Sequence, residues 1–145
     1  MPWKLRKYTD RLIIHCAATP PSMDIGVKTI NRWHKQRGWK GVGYHKILRR
    51  NGEIENGRPL DVYGAHARRY NGRSIGICLI GGVQEGDHKK TEANYTSTQW
   101  QSLERLIRNL MDRFPGVKVI GHKEVSQTAC PCFDVTSWAS TLQAS

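Results

Sequence analysis

No stretch of this chain stays apolar for anything near the roughly 20 residues that a membrane-spanning helix needs, so no membrane span is expected. The start, Met1-Pro2-Trp3-Lys4-Leu5-Arg6, is basic but has no apolar stretch of the kind that an export signal carries. Synthesis and folding in a cytoplasm follow as an expectation. Cysteine is sparse, with four residues, and without an export signal a disulfide scaffold is not expected. Internal repeats, low-complexity segments and linkers are absent, so the 145 residues read as one compact domain, 1–145, around a single core.

Acidic residues are also scarce: 12 Asp and Glu face 23 Lys and Arg, a net charge of +11. A positive surface favours anionic partners such as nucleic acid, acidic lipid or an acidic wall polymer. The basic residues are scattered in pairs, Arg49-Arg50, Arg68-Arg69 and Lys89-Lys90, and form no long tract. Charge alone therefore does not choose among these partners, and direct binding of nucleic acid is not expected. No segment has the look of an unpaired apolar interface, so a monomer is expected.

What is present is a series of short apolar runs alternating with helical patterns. Leu12-Ile13-Ile14 reads as a buried strand ending at His15. Ala17 to Asp24, with Pro20 and Pro21, is a loop. Val27, Ile30, Trp33 and His34 mark a helix from Gly26 to Arg37, ended by Gly38. Val42 to Arg50 reads as a strand. Asn51-Gly52 then predicts a type I′ hairpin returning as an antiparallel strand from Glu53. Ser74 to Gly81 is nearly continuously apolar, as a central strand covered on both faces would be. Trp100, Leu103, Leu106, Ile107, Leu110, Met111 and Phe114 recur at steps of three and four, which predicts a long helix capped by Ser97. Val117 to Gly121 is another short strand, again followed by a histidine, His122, and Val135 to Leu142 a last helix. The fold class is α/β, a central mixed β-sheet packed by helices.

His15 and His122 carry the first chemical signal. Ligands of open α/β sheets gather at strand ends, and two neighbouring strands would bring these imidazoles together. Cys130, eight residues beyond His122 in a loop with Pro131, can fold back beside them. Two histidines and a thiolate form a known catalytic zinc set, in which three protein ligands leave a fourth position for water. A strand-end histidine also serves as a hydrogen-bonded structural residue, and spacing alone leaves both readings open. Cys132 shares the loop and is a second candidate thiolate. Cys16 and Cys78 read as buried small hydrophobes. By strand alternation Tyr44 and His45 face opposite sides, which makes His45 a packed residue. His34 belongs to the core or to a groove wall, and His88 to a solvated polar loop. Glu53 and Glu55 are the nearest approach to a paired-carboxylate glycosidase site, but beside a hairpin turn they read as solvated charges.

The words of the sequence go further. His15-Cys16-Ala17-Ala18-Thr19, Gly43-Tyr44-His45, His66-Ala67, Tyr70-Asn71, Ser74-Ile75-Gly76-Ile77-Cys78-Leu79-Ile80-Gly81-Gly82, Gly121-His122-Lys123-Glu124-Val125 and Ala129-Cys130-Pro131 occur in that order. From about Leu12 to Trp138 the chain resembles the type 2 N-acetylmuramoyl-L-alanine amidases, above all the short lysozyme-amidases of podovirus phages, and more distantly the peptidoglycan recognition proteins. The resemblance implies that His15, His122 and Cys130 bind Zn2+, that Tyr44 stands beside the metal, and that His66 and Asn71 line the substrate groove. It implies hydrolysis of the amide between the lactyl group of N-acetylmuramic acid and L-alanine in peptidoglycan. Tyr44 would hold the oxyanion and is the candidate proton donor.

Thr128 replaces the lysine that the phage enzymes carry two residues before the cysteine. Active peptidoglycan recognition proteins have threonine there, which keeps Thr128 a catalytic candidate. The resemblance also implies a role as a phage endolysin in host lysis. Such an enzyme waits in the host bacterial cytoplasm until the membrane is permeabilised and then acts on the cell wall. Among the phage relatives is one that also binds its RNA polymerase, which brings a phage RNA polymerase into consideration as a second partner.

Overall fold

In the computed structural model, residues 3–143 are described, so the Met1-Pro2 start of the basic N-terminal segment lies outside them. Five strands form one sheet in the order β3-β2-β4-β1-β7. They are β1 (Arg11–Cys16), β2 (Lys46–Leu48), β3 (Ile54–Asn56), β4 (Ser74–Leu79) and β7 (Lys118–Gly121). β1 runs parallel to both β4 and β7, and β2 runs parallel to β4. Only β3 is antiparallel. The sheet is mixed, as expected, and β4 is its middle strand with all six residues buried.

The helices are α1 (Val27–Gln36), α2 (Ser97–Arg113) and α3 (Val135–Gln143). Alternation along the strands splits the interior. Leu12, Ile14, Leu48, Ile75, Ile77 and Leu79 pack against Leu103, Ile107 and Leu110 of α2 and Val135, Ala139 and Leu142 of α3. The opposite side holds a smaller cluster, in which Ile30 of α1 meets Val42, Ile47, Cys78 and Ile80. Among the described residues no helix is long and apolar enough to cross a membrane.

Several local expectations need correction. The residue that caps α2 is Thr96, one place earlier than expected. Its hydroxyl accepts the Gln99 amide at 3.0 Å, and the Gln99 side chain returns a bond to the Thr96 amide at 2.9 Å. The hairpin after β2 is not a type I′ turn. Gly52 alone takes positive φ, Gly52 N donates to Arg49 O, and Arg49 pairs with Glu53. This is a three-residue loop in which a type I turn is followed by a left-handed glycine. The strand expected from Val42 begins only at Lys46, because Gly43 lies against the Ala65 carbonyl and is not paired in the sheet.

A second hairpin, β5 (Val83–Gln84) with β6 (Asp87–Thr91), was not anticipated; its outer strand is polar and largely exposed, so it leaves no period-two apolar signal. His88 lies on this strand, exposed as expected, and not in a loop. Glu55 is not a solvated charge either. It accepts the Val27 amide at 2.8 Å and so caps α1, whose own N-cap Gly26 has no side chain to do it.

Candidate metal centre

The parallel pairing of β1 and β7 sets Ile14 beside Gly121, so each strand releases its histidine at the same edge of the sheet. His15 is the buried penultimate residue of β1, and His122 opens a 3-10 turn directly after β7. Their rings lie 4.4 Å apart between centroids. Cys130 completes the group. One ligand atom from each of His15, His122 and Cys130 lies within 4.8 Å of the other two, a cluster that among the described residues is met only here.

The Cys130 loop is held from several directions. Cys130 O accepts the Lys123 amide at 2.8 Å, and Tyr95 Oη donates to Pro131 O at 2.7 Å. The Cys130–Pro131 peptide is cis. Cys130 Sγ accepts the backbone amide of Cys16 at 3.0 Å, which fixes the sulfur beside the end of β1. Cys132 points elsewhere, with its thiol on the Gly82 carbonyl at 3.3 Å. Its thiol, like those of Cys16 (pushed up to about 12) and Cys78, is held above its ordinary pKa. Its hydrogen bond to Cys16 weighs most for Cys132, that to Cys130 for Cys16, and burial for Cys78. Cys130 is thus the loop thiol that joins the histidines.

Burial pushes the pKa of His15 well below the ordinary 6.5, with His122 and His45 adding to the effect, and burial lowers His122 too. Both imidazoles are therefore neutral at neutral pH, the form that offers a lone pair to a cation. Two imidazole nitrogens and one sulfur suit a tetrahedral zinc site with one open position. The carboxylate of Glu124, two residues after His122, is engaged by the Gly121 amide and the Thr136 hydroxyl. The donor set present fits the ion.

Tyr44 is half-buried, its ring 5.1 Å from that of His15. Burial, then the nearby thiols of Cys78, Cys130 and Cys16, hold its hydroxyl well above the usual phenol pKa. His66 is buried beneath His15: His15 Nε2 and His66 Nδ1 are 2.8 Å apart. His66 also borders a surface cleft of about 370 Å³ shared with Trp39, Ala67, Arg68 and Asn71. Asn71 Oδ1 accepts the amides of His66 and Ala67 at 2.9 and 3.0 Å, so this side chain shapes the cleft wall by fixing its backbone. Thr128 is exposed, and its hydroxyl accepts the Cys130 amide at 3.2 Å, beside Cys130 and not across the site.

His34 and His45 are structural by their contacts. His34 Nδ1 accepts the Gly43 amide at 2.9 Å, and the ring lies 5.5 Å from that of Tyr44, between core and groove. His45 Nδ1 accepts the Gly76 amide at 2.9 Å and Nε2 meets Val62 O at 2.8 Å; it is packed as expected, although it precedes β2 and strand alternation does not place it.

Sequence reasoning missed Ser74 and Gly76, which lie on the His66 side of β4. A Cβ on Gly76 would come within 2.5 Å of the His66 ring, and Ser74 Oγ is 3.2 Å from His66 Nε2. A signal did exist. Small or polar residues at alternate positions of an otherwise apolar central strand mark a notch on one of its faces.

Comparison with known proteins agrees with this geometry. Residues 5–133 match the family described as N-acetylmuramoyl-L-alanine amidase. The endolysin of Escherichia phage T7 is 45% identical over 136 residues, covering 94% of this chain and 89% of that protein. Peptidoglycan-recognition protein LB of Drosophila melanogaster is 32% identical over 128 residues, covering 85% of this chain and 53% of its own length. Among solved structures, the endolysin amidase LysCS from Clostridium intestinale URNW superposes with a TM-score of 0.80 at 31% identity, covering 99% of this chain and 87% of that one. With the His15–His122–Cys130 cluster at the end of β1 and β7, the chain belongs to the N-acetylmuramoyl-L-alanine amidase family.

Proposed function

We propose that the protein is a zinc-dependent endolysin that hydrolyses the amide between the lactyl group of N-acetylmuramic acid and L-alanine. The observation that carries this reading is the convergence of His15, His122 and Cys130 ligand atoms within 4.8 Å of one another. Family membership supplies the substrate class, peptidoglycan. When bound, zinc supplies Lewis acidity toward a carbonyl oxygen and lowers the pKa of a water to about 7.

The protein's own residues do the rest. Tyr44 Oη keeps its proton, because burial disfavours the phenolate. It therefore donates a hydrogen bond to the carbonyl oxygen as negative charge gathers there, and the same shift makes it a poor acid for the departing amine. Thr128 Oγ1 takes the Cys130 amide, which leaves its hydroxyl proton to point toward substrate. Trp39, Arg68 and the wall shaped by Asn71 offer an apolar surface and a cation beside the site, suited to a sugar ring and an anionic stem peptide. Synthesis in the host cytoplasm, followed by release to the wall after membrane permeabilisation, fits the endolysin relatives. The charge of +11 favours capture by an anionic envelope.

Purified sacculi incubated with metal-stripped and zinc-restored protein provide the test. Mass spectrometry should show stem peptides with free L-alanine amines only after zinc is restored. Cleavage undiminished in the stripped protein would remove zinc from the reading. Glycan fragments with new reducing ends would replace the amidase with a glycosidase.

A further inference from the structure

An imidazole that binds a cation must hold a lone pair on the nitrogen facing it and a proton on the other. Three contacts below the metal centre decide which nitrogen of His15 is which. Ser74, fully buried at the start of β4, has its hydroxyl 2.6 Å from Tyr70 O and 3.2 Å from His66 Nε2. His66 Nδ1 is in turn 2.8 Å from His15 Nε2.

A carbonyl oxygen only accepts, so Ser74 gives its single proton to Tyr70 O. Ser74 Oγ is then the acceptor in its second contact, and His66 Nε2 is the donor. That leaves a lone pair on His66 Nδ1, which accepts from His15 Nε2–H, and the remaining lone pair of His15 is on Nδ1. The reverse order would surrender the short bond to Tyr70 for the longer one to His66.

We propose that Ser74 is a positioning residue of the metal centre, which through His66 holds His15 in the tautomer whose Nδ1 faces the ion. The proposal rests on the reading of His15 as a metal ligand. Its frame is rigid. Asn71 fixes the His66 amide, and Gly76 leaves only enough room for the His66 ring. Outer hydrogen bonds of this kind fix ring orientation and ligand basicity in metal sites.

Two measurements test it, the first in the metal-free protein. Imidazole nitrogen NMR should find His15 and His66 both protonated at Nε2, and Ser74→Ala should turn His66 into a mixture of tautomers. Competition with a chelating indicator should then show zinc affinity lower by roughly 10–100-fold in Ser74→Ala, and within about threefold of wild type in Ser74→Thr, which keeps the hydroxyl.

A proton on His66 Nδ1 in the wild type would overturn the proposal without any variant, so it stays testable if a substitution prevents folding. Unchanged zinc affinity in a folded Ser74→Ala protein would also overturn it and leave the metal centre standing. A wild type that takes up no zinc would instead overturn the metal reading, and the proposal with it.

Discussion

The two faces of the sheet are built from the same strands by alternate residues, yet they solve opposite problems. Toward α2 and α3, β4 presents Ile75, Ile77 and Leu79 to leucines and isoleucines, and the contact is apolar and closely packed. Toward α1, the same strand presents Ser74, Gly76 and Cys78, and the space they vacate is filled by histidine rings. Burial of apolar area stabilises the first face. The second buries polar groups, which cost free energy unless paired. His15, His45 and His66 are each paired. One face supplies stability and the other uses part of it to hold neutral imidazoles in set orientations.

Truncation on the packed face should have the largest effect on stability. Leu103 is fully buried on α2. Leu103→Ala should destabilise by about 2–5 kcal/mol in denaturant unfolding, with zinc affinity and turnover near wild type where the variant stays folded. Loss of zinc binding with little change in stability would show that the two faces are not separable in this way.

Tyr44→Phe should do the reverse. Removing one hydrogen-bond donor to the oxyanion should lower kcat by roughly 10²–10³, about 3–4 kcal/mol, with the unfolding midpoint nearly unchanged. Near-wild-type kcat would take Tyr44 out of the chemistry.

The most gradual effect is set by pH. Burial, opposed only in part by the bond to Val62, holds His45 down to about 4, below its ordinary 6.5. The folded state therefore resists protonation that the unfolded chain accepts. The stability linked to this residue is complete above about pH 6.5 and is lost as pH falls toward 4, on the order of 3 kcal/mol in all. His34, also held to about 4, acts in the same direction with a smaller share because it is less deeply placed. Urea unfolding across this window should show the decline, and His45→Asn should make it shallower. A midpoint flat between about pH 6.5 and pH 5 would mean that the packed histidines do not distinguish the faces energetically.

The packed face was the more legible in the sequence. Its signal is periodicity, and the three-four spacing from Trp100 to Phe114 located α2 almost to its ends. His15 and His122 were legible for a related reason, since each follows a short apolar run and the topology places those runs side by side. Where side chains contact water or each other, periodicity has nothing to report. The β5–β6 hairpin was missed because its residues are polar. Thr96 rather than Ser97 caps α2 because the reciprocal bond with Gln99 decides between two equally good hydroxyls. The seat of His66 beneath His15 depends on contact between residues distant along the chain, and only the Ser74–Gly76 alternation hinted that β4 made room for something.

The register of β1 against β7 has one more consequence. The residues that would hold the ion come from the first strand and from a loop just before the last helix, so an ion seated there ties the two ends of the fold together. A bound metal is then a removable cross-link. It would stabilise the native chain in proportion to the logarithm of its free concentration over its dissociation constant, so a chelator that removed it would loosen the domain.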